Sequence, residues 1–164
     1  QSPLQMACMR SSPNIDIIRL LLAEFPTAAQ LADADGLTPL HLALQKQPSV
    51  ELLKVLIGSS PGVLRTATRC LQKALHVACV YGSSVDVLQF LVRKDPSQVL
   101  VTDQNFRVPL HHILMSPNVS VEAVTTLVEA GVKSLKSSDV NDETPLDIAK
   151  RLQLDRRILS ALQL

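Results

Sequence analysis

The chain has 164 residues, of which 46% are hydrophobic and 2% aromatic, and its formal net charge is +1. This length suits one compact domain or one short repeat array, and so few aromatic residues leave Leu, Ile, Val and Ala to build a core of closely packed helices. The balanced charge excludes a global field that would attract nucleic acid or an anionic membrane.

A first-helix motif recurs at regular intervals along the chain. Its fullest form is Gly36-Leu-Thr-Pro-Leu-His-Leu-Ala43, and degraded forms occupy residues 2–7, 71–78, 106–113 and 142–149. Equivalent positions lie 35 or 36 residues apart, at Pro3, Pro39, Ala74, Pro109 and Pro145. Self-similarity at a period of this size predicts a stack of similar structural units.

A second helix is predicted after each first helix. Apolar residues at helical spacing begin at Ile15, Val50, Val85 and Val121, and more loosely at Leu154. An acidic residue directly follows each of the first four, where it complements the helix dipole.

Proline and glycine predict where the second helices end. Pro26, Pro61 and Pro96 follow them and cannot continue a helix, and Gly131 is expected to end the fourth as a glycine of the common C-terminal kind. The polar stretches between these residues and the next motif are predicted turn-forming loops.

Thr38-Pro39-Leu40-His41 followed by Ala43, repeated with a second helix and a protruding loop, resembles the ankyrin repeat family over essentially the whole chain. The resemblance implies an all-α fold: an ankyrin-repeat α-solenoid of stacked helix-turn-helix units joined by β-hairpin-like loops. We expect a single domain over 1–164, with five repeats at about 1–32, 33–67, 68–102, 103–138 and 139–164. The first is truncated at its N-terminus, so we expect a longer array before Gln1.

The chain departs from the family pattern in several places. Its period exceeds the usual value of about 33, and Lys73-Ala74 replaces Thr-Pro in the third repeat. The inter-helix loops at 47–49 and 117–120 lack the usual Gly-His, so we expect individual loop conformations. In the last repeat Asp147 replaces the motif histidine, and polar residues open the second helix, as suits an end repeat.

His41, His76 and His111 share one motif position and could be considered as metal ligands. Equivalent positions on stacked helices lie roughly 8–10 Å apart, whereas two ligands of one zinc ion, each bonded at about 2.0–2.1 Å, lie only about 4 Å apart. The row therefore cannot close on one ion. The resemblance implies structural histidines that form hydrogen bonds near the hairpin base, and His112 is expected to point elsewhere on its helix.

Cys8, Cys70 and Cys79 are odd in number and lack CxxC spacing, which argues against disulfides and thiolate metal sites and favours a reducing compartment. Cys8 and Cys79 follow motif alanines and are expected in the core. Cys70 lies in a predicted hairpin beside Arg69, and the sequence leaves open the alternative that its thiol is reactive. A glycosylation acceptor pattern at 118–120 is interpreted as chance for an intracellular chain.

Other functional classes find little support. Signatures of serine hydrolases, zinc proteases, phosphate-binding loops and dinucleotide sites do not occur, and basic residues such as Arg65, Lys133 and Lys136 lack interleaved aromatics for nucleic-acid binding. We predict no enzyme activity, no cofactor or metal, and no nucleic-acid or membrane binding by this segment. We expect an intracellular, cytoplasmic monomer that is part of a longer chain.

The predicted function is a protein–protein interaction scaffold that binds a protein partner through the concave face of hairpins and first helices. The alternative is a structural or regulatory segment that packs against another domain of a larger protein. By the resemblance, partner-binding residues flank the turns and follow the first helices: Ala34, Asp35, Leu37, Gln45, Lys46, Arg69, Cys70, Gln72, Val80, Tyr81, Gln104, Asn105, Arg107, Met115, Val140, Asn141 and Glu143. Tyr81, Arg69, Arg107 and Met115 are expected to contribute most, because such side chains are enriched at interface cores.

Overall fold

The computed structural model describes residues 1–163, and the α-helices in that range form five successive pairs. Each pair has a first and a second helix. The helices are α1 (Pro3–Cys8), α2 (Ile15–Glu24), α3 (Pro39–Leu44), α4 (Val50–Ser59), α5 (Ala74–Val80), α6 (Val85–Lys94), α7 (Pro109–Met115), α8 (Val121–Ala130), α9 (Pro145–Arg151) and α10 (Arg156–Ala161).

The helix starts follow from capping chemistry. Pro3 occupies the first helical position of α1, where its missing N–H is not needed, and the Ser2 hydroxyl accepts a hydrogen bond from the Gln5 amide at 3.3 Å. The last second helix begins after Asp155, whose Oδ1 accepts from the Arg157 amide at 2.7 Å. The predicted starts of the first four second helices are confirmed.

The stack has two helical layers, because first helices pack on first helices and second helices on second helices. Leu40, Leu75 and Leu110 hold the same motif position and are at most 1% exposed. Burying one such side chain contributes about 1.5–3 kcal/mol. Repeated burial of this kind fits a solenoid whose stability adds up over neighbouring units. The predicted all-α solenoid is confirmed.

A short 3-10 turn follows each of the first four second helices, and it lengthens the unit. The turns are Pro26–Gln30, Pro61–Arg65, Pro96–Leu100 and Val132–Lys136. The predicted proline stops are confirmed as α-helix ends, but each proline also begins one of these turns. Proline suits that place because its fixed φ is compatible with a helical first residue.

Gly131 corrects the sequence prediction for the end of the fourth second helix. Its φ is −163°, so it does not adopt the left-handed conformation of a common glycine cap. A Cβ atom at this position would meet Cγ2 of Val99 at 2.5 Å. Close packing between the third and fourth units, rather than backbone handedness, therefore requires the glycine.

The inter-helix loops have individual conformations, as expected. Gln47, Gly82 and Gln153 adopt positive φ values of 56°, 61° and 54° after the first helices α3, α5 and α9. The loops after α1 and α7 contain no such residue. In the second unit, the Gln47 side-chain amide also donates to the Tyr81 carbonyl of the third.

Candidate protein-binding face

The predicted partner-binding residues lie at the hairpin tips and at the C-terminal ends of first helices, a surface that we call the hairpin face. None of them is buried. The exposed ones are Ala34, Asp35, Lys46, Arg69, Cys70, Tyr81, Gln104, Val140 and Asn141. The half-buried ones are Leu37, Gln45, Gln72, Val80, Asn105, Arg107, Met115 and Glu143.

Main-chain hydrogen bonds connect each hairpin tip to the next. The Arg69 amide donates to the Asp35 carbonyl at 2.9 Å, and the Gln104 amide donates to the Cys70 carbonyl at 3.0 Å. At the last junction the Val140 amide donates to the Asn105 carbonyl at 3.0 Å. The tips therefore form one connected row, although no residue in 1–163 is assigned to a β-strand.

A side-chain oxygen fixes the shape of the hairpins. Oδ1 of Asp103 accepts hydrogen bonds from the Asn105 and Arg107 amides at 2.8 and 3.0 Å, and Asp33 and Asp139 accept equivalent bonds. Burial raises the pKa of Asp103 and Asp139, but bonds to backbone amides outweigh it and lower the pKa below the ordinary value. Both carboxylates thus remain ionised acceptors.

Two motif histidines, His76 and His111, each connect a hairpin to the helix pair before it. His76 Nδ1 accepts a hydrogen bond from the Lys73 amide at 3.2 Å, and its Nε2 lies 3.1 Å from the Arg107 carbonyl oxygen. His111 makes the same pair of contacts, with the Val108 amide and with the Glu143 carbonyl oxygen at 3.3 Å. Their predicted hydrogen bonding near the hairpin base is confirmed.

Gln5 takes the place of this histidine in the first unit. Its Oε1 accepts from the Ser2 amide at 2.7 Å, and its Nε2 donates to the Leu31 and Leu37 carbonyls at 2.9 and 3.3 Å. In the second unit His41 accepts from the Thr38 amide, but its buried Nε2 has no hydrogen-bond partner within the described residues. Burial lowers the pKa of both His41 and His76 to about 4.

His112 forms a buried contact that the sequence did not reveal. Its Nε2 lies 2.9 Å from Oδ2 of Asp103, and its ring packs edge-on against His76 with centroids 5.8 Å apart. Burial lowers the pKa of His112, although Asp103 opposes that effect. His112 occupies a position that is apolar in the other units, where Met6, Leu42, Val77 and Ile148 stand.

Arg107, one of the predicted partner-binding residues, forms a salt bridge within the stack. Its Nε and one terminal nitrogen lie 3.0 and 2.9 Å from Oδ2 of Asp139, in the next hairpin. The Asp139 side chain is 0% exposed and that of Arg107 is 22% exposed. The guanidinium therefore neutralises a buried carboxylate between two units. Arg151 forms a more exposed salt bridge with Glu143.

Leu71 and Phe106 are exposed tip residues that the sequence prediction omitted. Both adopt positive φ, at 60° and 56°, where a bulky residue is strained, and both are more than half exposed, at 55% and 60%. They hold the place of Gly36 in the motif. An apolar residue at a glycine position was the signal available in the sequence.

A family model described as "Ankyrin repeats (3 copies)" matches residues 1–66. Residues 1–66 belong to the ankyrin repeat family. No curated protein matches the chain. The assignment of five ankyrin repeats with the boundaries given above rests on the sequence spacing and remains a prediction.

Ankyrin repeats are generally protein–protein interaction modules and are generally not catalytic. Within residues 1–163 no helix is both long and apolar enough to cross a membrane. In the same range, no three or more His, Cys, Asp or Glu residues cluster so that they could hold a metal ion.

The three cysteines divide into two buried and one exposed thiol, as predicted. Cys8 and Cys79 are buried, and burial raises the pKa of both thiols, that of Cys8 to about 12. Two buried neutral thiols of this kind are inert packing groups. Cys70 is exposed at a hairpin tip.

Proposed function

We propose that this chain is a protein–protein interaction scaffold whose hairpin face binds a protein partner. The observation that carries the proposal is the connected row of tips, which presents Leu71, Phe106 and Val140 as exposed apolar side chains. Tyr81 adds an exposed aromatic ring at the end of a first helix. Neighbouring apolar groups exposed on one face are typical of interaction sites.

Polar groups on the same face favour a protein over an apolar ligand. Asp35, Arg69, Gln104 and Asn141 are exposed around the apolar tips. An apolar centre with a polar rim matches the composition of interfaces between proteins. Backbone strain at Leu71 and Phe106 also indicates that the hairpin tips are a functional surface, because costly backbone conformations cluster at functional sites.

We propose a binding role without catalysis. His76 and His111 direct their ring nitrogens to backbone groups. Asp103 and Asp139 direct their oxygens to backbone amides, to His112 and to Arg107. These groups therefore hold the hairpins in place. We also place the chain in the cytoplasm as a monomer, on the grounds of its three free thiols and of helix pairs that cover one another.

Partner capture with a matched pair of variants tests the proposal. The chain is immobilised and exposed to an extract of its source cells, and bound proteins are identified. The Tyr81→Ala/Phe106→Gly variant should lose the specific partner, whereas Ile17→Gln/Leu20→Gln, on α2 away from the hairpins, should retain it. Loss with the α2 variant alone would contradict binding at the hairpin face.

The alternative, packing against another folded segment, is favoured by the open face of the first helix pair. Met6 and Ile17 are 61% and 52% exposed. Leu42 and Leu52, at the equivalent positions of the second pair, are only 2% and 1% exposed. An apolar surface that is covered elsewhere in the stack can accept a neighbouring element. Here the α2 variant, and not the tip variant, would abolish the association.

A further inference from the structure

A groove with a volume of about 710 Å³ runs between the second and third helix pairs. Its walls come from the second helices α4 and α6, from the 3-10 turns that follow them, and from Lys73 and Val101 outside these elements. None of the predicted partner-binding residues lines it. It is therefore separate from the hairpin face.

Four cations converge on this groove. They are Lys54, Arg65, Lys73 and Lys94, against a single carboxylate, Asp95. Within residues 1–163 none of the four forms a salt bridge, although the Lys73 ammonium donates to the Arg65 carbonyl. We call this site the basic groove.

Asp95 offsets only one of the four positive charges of the basic groove. Its Oδ1 accepts hydrogen bonds from the Ser97 hydroxyl and amide at 2.5 and 3.2 Å, and its Oδ2 accepts from Gln98 at 3.3 Å. These bonds, led by that from the Ser97 hydroxyl, lower the pKa of Asp95 and hold the carboxylate against its own turn. A net positive surface remains for an incoming anion.

The basic groove also has an apolar component and a gap. Ile57, Leu64 and Phe90 line it, and the Lys94 ammonium lies 5.6 Å from the Phe90 ring centroid. Gly58 opens the wall, because a Cβ atom there would have no neighbour within 4 Å. The groove can thus accept an apolar side chain together with negative charge.

The charge at this junction is not a requirement of the fold. Lys73 holds the N-cap place taken by Thr38, Val108 and Thr144 in other units, although lysine does not cap a helix well. The counterpart of Lys54 in the first unit is Arg19, which pairs with Glu51 at 3.6 Å. Lys73 gains a hydrogen bond to the Arg65 carbonyl, but within residues 1–163 the positive charges at this junction form no salt bridge that the fold would require, and such unpaired charge points to function.

We propose that the basic groove binds an acidic, extended peptide segment of a partner protein. Carboxylates of the segment pair with the four cations, and an apolar side chain of the segment packs beside Phe90 and Leu64. The apolar lining favours a peptide over a free phosphate. Phe90 is the one aromatic residue among those that line the groove, whereas single-stranded nucleic acid is bound by several aromatic rings that stack successive bases, so this lining favours a peptide.

Fluorescence anisotropy with a labelled peptide tests this binding. The probe is fluorescein-labelled Glu-Asp-Leu-Glu-Asp-Leu-Glu-Asp, and its neutral match replaces Glu by Gln and Asp by Asn. The acidic probe should bind in low salt and weaken as salt rises, because the contacts are exposed charge pairs. The proposal is overturned if the acidic probe fails to bind up to about 1 mM protein, or if the neutral probe binds equally well.

Two variants with the same charge change locate the site. Lys54→Gln/Lys94→Gln should weaken the acidic probe about tenfold, and Lys133→Gln/Lys136→Gln, outside the groove, should change affinity by less than about twofold. Equal losses in both would show a diffuse charge effect and overturn the proposal. Tighter binding of a short single-stranded DNA or of anionic vesicles would also overturn it.

A steric variant tests the groove without changing charge. Gly58→Leu places a side chain in the open gap and improves helix propensity, so it should block the probe while the thermal midpoint stays equal or rises. Unchanged probe affinity in this folded variant would contradict the proposal. Because Tyr81 and Phe106 lie outside the groove, their variants should bind the probe normally, so the proposal for the hairpin face can fail separately.

Discussion

Nε2 of His76 lies 3.1 Å from the carbonyl oxygen of Arg107, so a ring buried in the third helix pair holds the hairpin of the fourth. Gln5 makes the equivalent contacts in the first unit through its amide. Glutamine can therefore supply both hydrogen bonds at this position, whereas an apolar residue supplies neither.

We predict that His76→Ala lowers the free energy of unfolding by about 2–3 kcal/mol, because two hydrogen bonds are lost and a cavity forms. His76→Gln should cost only about 1 kcal/mol. Urea unfolding of both variants and the parent measures the difference. Equal losses would show that packing, not hydrogen bonding, sets the role of His76. The parent should also contain no zinc by elemental analysis, and stoichiometric zinc lost with His76 would contradict the structural role.

Stability should fall with acidification between pH 6.5 and pH 4. Burial lowers the pKa of His41 and His76 to about 4 from an ordinary value of 6.5, so in this window the unfolded chain binds protons that the folded chain does not. Each histidine should thus remove about 3 kcal/mol of stability by pH 4. Urea midpoints at pH 7, 6, 5 and 4 measure the slope. His76→Leu should reduce that slope, and an unchanged slope would exclude His76 as a source.

Arg107→Ala should destabilise the stack by about 2 kcal/mol or more, because it leaves the buried Asp139 carboxylate without its cation. Arg151→Ala is the matched control, since it breaks the more exposed pair with Glu143 and should cost less than about 1 kcal/mol. Thermal midpoints of the two variants test the contrast. A binding defect of an Arg107 variant must be compared with its stability, which is why Tyr81 and Phe106 are the better probes of the hairpin face.

Glycine at the hairpin tips should separate binding from folding. Leu71→Gly and Phe106→Gly remove the strain of a side chain at positive φ. They should leave the free energy of unfolding unchanged or raise it by up to about 1 kcal/mol each, while weakening partner binding. In contrast, Gly36→Ala should destabilise, because its φ is 77° and a Cβ atom would lie 3.0 Å from the Arg69 amide nitrogen. A marked loss of stability in the two tip variants would assign these side chains to folding.

Gly131→Ala should cost about 1–3 kcal/mol through overpacking against Val99. Val99→Ala removes the clashing Cγ2, so the double variant should be more stable than the sum of the single effects indicates. Gly58→Ala, which meets open space, should be neutral or stabilising by up to about 1 kcal/mol. If the changes in the free energy of unfolding for Gly131→Ala and Val99→Ala simply add in the double variant, close packing against Val99 is not the reason for the glycine.

The regular part of the fold could be predicted because it repeats in the sequence. Ile15, Val50 and Val85 begin second helices where their spacing indicates, since helical period and proline position are local signals. Contacts across units were not predictable in the same way. The Arg107–Asp139 pair joins residues 32 positions apart, and its partners become neighbours only when the units stack.

The candidate sites show the same division. The position of the hairpin face follows from the motif, so residues such as Tyr81 could be named in advance. The strained tips at Leu71 and Phe106 depend on backbone conformation at a degraded glycine position. The basic groove is formed by side chains from two helices, two turns and Lys73, which lie far apart in sequence. Its concentrated charge and its gap at Gly58 therefore arise only when the units stack, and the sequence alone does not reveal them.

One main-chain bond joins each hairpin tip to the next, at Asp35–Arg69, Cys70–Gln104 and Asn105–Val140. A single bond fixes the distance between neighbouring tips but leaves rotation about it less constrained than a paired strand would. Contacts from His76, His111 and the Arg107–Asp139 pair restrict that rotation, because each joins a hairpin to the neighbouring unit. The exposed side chains of the row are therefore presented at a fixed order and spacing before a partner arrives, so little ordering is needed on binding.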